Sequence, residues 1–159
     1  MLLHLIFVLA TGTALPSSNP TAWMRPESFR IAIGMSRIET TNVLQQGGWA
    51  PKKGKDDDEI VVDYTGERAL TLRFVRGRLR SIRFELFAML PDVRQAFDAE
   101  AAYLRATLGE PKKLPSRSIL VYDRKLPNVM VVLSDDPNSV NGRRGLGLLV
   151  VRYFDPAER

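Results

Sequence analysis

Residues 29–48, FRIAIGMSRIETTNVLQQGG, mark where the folded part of this chain begins. An alternating apolar run stops at Gly34, and Ser36 with Glu39 has the spacing of a capping box, which starts a helix. The glycine pair that follows predicts the helix end, because glycine readily adopts the left-handed conformation found there. Three side chains give this helix an apolar side: Ile38, Val43 and Leu44. The stretch therefore predicts a short extended segment followed by an amphipathic helix.

Three strands are predicted after this helix. Residues 60–64 and 70–75 are separated by a turn at Gly66, and a hairpin at Gly77 leads into residues 79–86. The last two of these strands alternate apolar and polar side chains, as in a sheet with one buried face. The alternation loses phase between Leu79 and Ile82, which predicts a β-bulge.

A second helix and three more strands complete the pattern. The helix opens at Pro91 and closes at Gly109, and its apolar side chains recur at helical spacing: Val93, Phe97, Ala101, Leu104 and Leu108. The later strands are predicted at residues 118–123, 129–133 and 146–154. This order predicts an α+β fold of two tandem α-β-β-β units, with the helices packed on one face of an antiparallel sheet. Residues 29–159 would form one domain made of two repeats, about 29–90 and 91–156.

The N-terminus reads as a secretory leader. Residues 1–14 contain a short apolar core and small residues before a cleavage point after Ala14. The apolar part is too short to span a membrane. The lack of a basic residue before it leaves a misplaced start codon or an N-terminal strand as alternatives. Residues 15–28 are rich in Pro, Ser, Asn and Thr, which predicts a linker. The protein is therefore expected to be exported, either periplasmic or extracellular.

Composition excludes several kinds of chemistry. The chain has no cysteine, and its one histidine, His4, lies in the expected leader. Thiol nucleophiles, Ser-His-Asp triads and histidine-based zinc sites are thereby excluded. No enzyme activity, cofactor or metal is expected. A carboxylate-based hydrolase stays open if two of Asp63, Asp123 and Glu85 share a pocket, within about 5–10 Å of each other.

Arginine carries most of the formal net charge of +5. Five arginines fall on two neighbouring predicted strands and their turn: Arg73, Arg76, Arg78, Arg80 and Arg83. If they face outward they form a positive strip that can bind carboxylates or phosphates; the alternative is an ordinary solvated face. Trp49 is a second candidate contact, since tryptophan is enriched at binding hot spots, or it plugs one end of the core.

Several short motifs carry a family resemblance. Residues 33–36, IGMS, followed by Val43 and Leu44, resemble the opening of the small lipoprotein of the outer-membrane β-barrel assembly machinery (SmpA/OmlA type). Residues 108–111, LGEP, and 77–79, GRL, are similar to the helix end and hairpin of that module. The tandem arrangement resembles β-lactamase inhibitory protein. The resemblance implies a secreted binding module without catalysis. The lipoprotein's anchoring cysteine is absent, so no family binding residue is carried over.

These observations together predict an exported, non-enzymatic module that binds another envelope or secreted protein. One alternative is a binder of anionic polymer or lipid through the arginines, and the other is the carboxylate-based hydrolase. No specific nucleic acid partner and no membrane span are expected.

Overall fold

A computed structural model describes residues 20–113, 118–123, 127–134 and 145–157. The expected leader and its cleavage point lie outside these residues. The described chain contains a short 3₁₀ helix (Pro26–Phe29) and two α-helices, α1 (Arg37–Gln46) and α2 (Leu90–Leu108). Its strands are β1 (Lys52–Lys53), β2 (Glu59–Thr65), β3 (Arg68–Val75), β4 (Arg78–Met89), β5 (Lys112–Lys113), β6 (Ile119–Tyr122), β7 (Asn128–Ser134) and β8 (Leu146–Phe154).

The eight strands form one antiparallel sheet in the order β1-β2-β3-β4-β8-β7-β6-β5. The prediction of two tandem α-β-β-β units is wrong. Each helix is followed by four strands rather than three, the helices have 10 and 19 residues, and the single sheet dominates the described structure. The extra strands, β1 and β5, are lysine pairs with no apolar alternation, so no sequence pattern indicated them.

Pairing between β4 and β8 joins the two groups of four strands. It runs from Ser81 opposite Phe154 to Met89 opposite Leu146 without a register shift. The predicted bulge is confirmed in β4, on the side where this strand pairs with β3. Arg73 lies opposite Ser81 and Phe74 opposite Leu79, which leaves Arg80 as the extra residue of β4. Past the bulge, Leu79 again points to the core.

One face of the sheet carries the core. Residues that lie opposite one another across neighbouring strands are all buried on this face, from Val62 of β2 through Leu70 and Phe84 to Val151 and Val131. Both helices pack on this same cluster, α1 through Leu44 and α2 through four residues: Val93, Ala96, Phe97 and Leu104. The apolar side predicted for α2 is confirmed by the burial of Val93, Phe97, Ala101 and Leu104.

The start of α1 has the predicted chemistry, but its apolar side is smaller than predicted. The Glu39 backbone N–H donates to the Ser36 hydroxyl at 3.2 Å, and the Ser36 N–H donates to the Glu39 carboxylate at 2.8 Å. The capping box is therefore confirmed. Ile38 is 75% exposed, so its assignment to the buried side is wrong. Only about one turn of α1 contacts the core.

Residues 20–35 form a third covering segment beside the helices. Met24 is fully buried, Phe29 packs 5.7 Å from Phe84 between ring centroids, and the Tyr153 hydroxyl donates to the Met24 carbonyl at 3.2 Å. The described part of the expected linker, residues 20–28, is thus packed on the sheet and does not behave as a linker. Its polar composition concealed this, because Met24 and Trp23 are isolated apolar residues without periodicity.

A buried ion pair holds this segment to α2. Glu100 is fully buried. Its carboxylate accepts hydrogen bonds from the Arg25 guanidinium at 2.8 Å and from the Thr21 hydroxyl at 2.7 Å. Arg25 also lies over the Tyr103 ring, 3.8 Å from its centroid. Burial raises the pKa of Glu100, and the contacts with Arg25 and Thr21 offset part of this rise.

Replacing one partner of the buried pair should destabilise the fold strongly. Arg25→Ala leaves the Glu100 carboxylate buried without its counter-charge, which costs about 3–5 kcal/mol in the free energy of unfolding. Urea denaturation measures this loss. The double variant Arg25→Met/Glu100→Leu removes both charges and should lose much less than Arg25→Ala. Equal losses in the two variants would contradict a coupled pair.

The raised pKa of Glu100 makes stability depend on pH in a defined direction. The unfolded chain releases this proton near the ordinary value of about 4.3, whereas the folded chain keeps it to higher pH. Between these two pKa values the folded state holds more protons, so stability falls as pH rises. The free energy of unfolding of the wild type relative to Glu100→Gln should therefore decrease as pH rises through that window. A relative increase would show that the pKa of Glu100 is lowered instead.

Candidate functional site: the uncovered face of the sheet

The second face of the sheet is covered by neither helix nor by residues 20–35 in the described part of the chain. A cavity of about 310 Å³ lies on this face and is lined by sheet residues alone: Glu59, Thr71, Arg73, Ser81, Arg83, Met130, Val132, Val150 and Arg152. These residues alternate along the strands with the core residues, so the strand pairing alone positions them.

Two arginines lie opposite each other at the centre of this face. Strand register places one row of side chains across the whole sheet: Lys52, Val61, Thr71, Arg83, Arg152, Met130, Val121 and Lys112. Arg83 of β4 and Arg152 of β8 are its two middle members, with three more strands on either side. Directly opposed side chains have Cβ atoms about 4.5–5.5 Å apart, and like charges in such a pair are destabilising.

Neighbouring groups orient both guanidinium groups. Arg83 Nη2 lies 2.7 Å from the Glu85 carboxylate on the same strand. Arg152 Nε donates to the Ser81 hydroxyl at 2.8 Å, and its guanidinium carbon lies 5.0 Å from the centroid of the Phe154 ring. Ser81 is almost fully buried beneath them. Both guanidinium groups are therefore held in place by neighbouring side chains, although Arg83 remains exposed to solvent.

The surroundings of this arginine pair are mixed in character. Val132, Val150 and Met130 supply an aliphatic floor on the β7–β8 side, while Arg73 and Glu59 lie on the β2–β3 side. Such a surface combines apolar contact area with a few charged groups that fix orientation, as protein-binding surfaces do. It offers a place for a carboxylate flanked by apolar side chains.

The five arginines predicted as one strip lie on different surfaces. Arg73 and Arg83 line the cavity, but Arg76 occupies the hairpin turn with a φ of 50°. The other two, Arg78 and Arg80, are used elsewhere. Arg78 donates to the Gly34 carbonyl at 3.4 Å beside the start of α1, and Arg80 forms an ion pair with Asp155. The bulge at Arg80 breaks the strip.

The sequence reading missed Arg152, the member that completes the site. Its place in residues 149–154, LVVRYF, identifies it as the polar residue of a strand that is otherwise mostly apolar. That signal was available, but its proximity to Arg83 depends on which strand pairs with β4. Sequence patterns give no information on that pairing.

Trp49 lies on the covered side of the molecule. It is half-buried, and its ring lies 5.0 Å from that of Phe29 between centroids. It also packs against Gly47, where a Cβ atom would come within 3.1 Å of the indole. This position matches a plug at one end of the core rather than a contact on the uncovered face.

Of the three carboxylates proposed for hydrolysis, Asp123 lies far from the other two. Asp63 on β2 pairs with Lys52 at 2.9 Å, and Asp123 after β6 pairs with Lys112. Five strand spacings separate β2 from β6, about 24 Å at 4.8 Å per spacing, so Asp63 and Asp123 lie too far apart. Asp63 and Glu85 lie in one row of the sheet with Ala69 between them, about 10 Å apart at two strand spacings. Each is paired with a cation, Lys52 or Arg83, and none of the three carboxylates lines the cavity on the uncovered face.

No protein-family model, curated protein or solved structure matches this chain. Within the described ranges, neither helix is long and apolar enough to cross a membrane. In the same part of the chain, no three or more acidic, histidine or cysteine side chains cluster as a metal site would require.

Replacing Arg83 should leave the fold almost unchanged. Arg83→Gln removes an exposed ion pair with Glu85, which costs at most about 1 kcal/mol, and it relieves the repulsion from Arg152, which returns a similar amount. The free energy of unfolding, measured in urea, should change by less than about 1 kcal/mol. Leu72→Ala, a substitution in the core, should lower the free energy of unfolding by about 2–5 kcal/mol. It serves as the positive control for the assay. A comparable loss in Arg83→Gln would place its side chain in the packed interior.

Proposed function

We propose that the protein is an exported, non-enzymatic module that binds an acidic segment of another envelope or secreted protein through the uncovered face of its sheet. The observation that carries this proposal is the opposed pair Arg83 and Arg152 inside a cavity of the sheet. Export rests on the leader read from the sequence.

Charge is the first argument for an acidic partner. Two guanidinium groups on adjacent strands repel each other, and an anion placed between them would turn this repulsion into two attractive contacts. Arginine presents planar donors that match the two oxygens of a carboxylate. Relief of the repulsion between Arg83 and Arg152 would therefore contribute to the free energy of binding.

The neighbouring groups favour a protein over a uniform polyanion. Glu59 and Glu85 lie among the arginines and would repel a polymer with negative charges along its length. Val132 and Val150 provide apolar contact that such a polymer cannot use. A protein segment with one or two carboxylates between apolar side chains fits both features.

Binding can be tested with a defined peptide in which Asp alternates with Val, and a matched peptide with Lys in place of Asp. The wild type should bind the Asp peptide more tightly. The double variant Arg83→Gln/Arg152→Gln should weaken binding at least tenfold, because each lost charge-assisted hydrogen bond is worth about 1.5–3 kcal/mol. Fluorescence anisotropy with labelled peptide measures both affinities.

The matched control is Arg94→Gln, which removes an exposed arginine from α2 on the other side of the molecule. It should leave the affinity unchanged. Affinity should also persist in part at about 1 M salt, where the Debye length is only ~3 Å, because the apolar contacts are not screened. Equal loss in the control and the double variant, or equal binding of both peptides, would contradict the proposal. Proteins retained from an envelope extract by the wild type but not by the double variant would then identify the partner.

A further inference from the structure

A second cavity lies on the opposite side of the sheet and has different chemistry. Its volume is about 320 Å³, within the range of small-molecule sites. Its walls come from three separate parts of the fold: Ile31 and Ile33 in the N-terminal segment, Leu104 and Leu108 on α2, and Val129 on the sheet. Most of its lining is aliphatic.

Five polar side chains belong to the lining: Arg25, Glu27, Tyr103, Thr107 and Tyr153. The Tyr153 hydroxyl is already used, because it donates to the Met24 carbonyl at 3.2 Å. The Thr107 hydroxyl donates to the Tyr103 carbonyl at 2.8 Å, which leaves its oxygen lone pairs as potential acceptors. Tyr103 is 39% exposed, so its ring forms part of the accessible rim.

The charge of Arg25 in the wall is compensated by Glu100. Arg25 is 9% exposed, and its guanidinium donates to the Glu100 carboxylate and to the Met24 carbonyl. An anionic ligand would therefore compete with Glu100 for the same donors. A charged head group would also lose its hydration on entering a mainly aliphatic cavity, which is costly without a new partner. Glu27 could pair with a cation, but it is exposed to solvent and therefore could do so only at the edge of the cavity.

We propose that this cavity is a binding site for an uncharged, mainly aliphatic small molecule that carries one hydroxyl group. The aliphatic part lies between the N-terminal segment and α2, and the oxygen lies at the rim beside Tyr103 and Thr107. The ion pair of Arg25 with Glu100 holds the two walls together, so the cavity exists before the ligand arrives. This proposal does not depend on the function of the uncovered face.

The test uses three probes of equal chain length: 1-octanol, octanoate and octylammonium. Isothermal titration calorimetry on the full chain should show 1-octanol binding at least tenfold more tightly than either ion. The heat capacity change should be negative, because apolar surface is buried on binding. Octanoate binding as tightly as 1-octanol would overturn the uncharged ligand class.

Two neighbouring substitutions on α2 test the location. Thr107→Trp fills the rim of the cavity and should abolish 1-octanol binding, whereas Ala106→Trp places the same side chain on an exposed position outside the lining and should not. Both positions are exposed, so both variants should fold, which urea denaturation verifies. Equal affinity in the two variants, or no octanol binding by the wild type, would overturn the proposal.

Discussion

Pairing of β4 with β8 is the constraint on which the rest of the structure depends. It joins two groups of four strands into one sheet and fixes the register across the middle of the molecule. Because the register is fixed, Phe84 lies opposite Val151 on the covered face and Arg83 opposite Arg152 on the uncovered face. A shift by one residue would exchange the two faces and bury the arginines, so the hydrophobic core itself enforces the arginine pair.

The two faces of this sheet differ in their chemistry. The covered face binds α1, α2 and residues 20–35 through apolar contacts, with one buried ion pair between Arg25 and Glu100. That ion pair is costly to desolvate, and its structural effect is to fix the position of the N-terminal segment on α2. The uncovered face carries the opposed arginines Arg83 and Arg152 at its centre. Like charges directly opposite each other on neighbouring strands are destabilising, and the proposed acidic partner would relieve this repulsion.

Local features of the fold were predictable from the sequence, while features that depend on distant residues were not. The capping box of Ser36 with Glu39 and the bulge at Arg80 were predicted because each is decided within a few residues. Glu100 was missed although it falls on the apolar side of α2, three residues after Phe97 and four before Leu104. A carboxylate at such a position signals a buried partner, but nothing in the sequence singled out Arg25, 75 residues away.

The candidate site was predicted only in part for the same reason. Arg73 and Arg83 were recognised because they alternate with apolar residues in a hairpin. Arg152 was not, because it reaches Arg83 through the pairing of strands that are distant in sequence. The second cavity could not be predicted from the sequence either, since its walls come from the N-terminal segment, α2 and the sheet.

The most direct test of this account is the measurement of cross-strand nuclear Overhauser effects between the backbone protons of β4 and β8. The structure predicts contacts between Arg83 and Arg152 and between Phe84 and Val151, with the same register continuing to Met89 and Leu146. Observation of this register would establish the arginine pair at the centre of the uncovered face. Contacts displaced by one residue, or contacts of β4 with a different strand in place of β8, would contradict it.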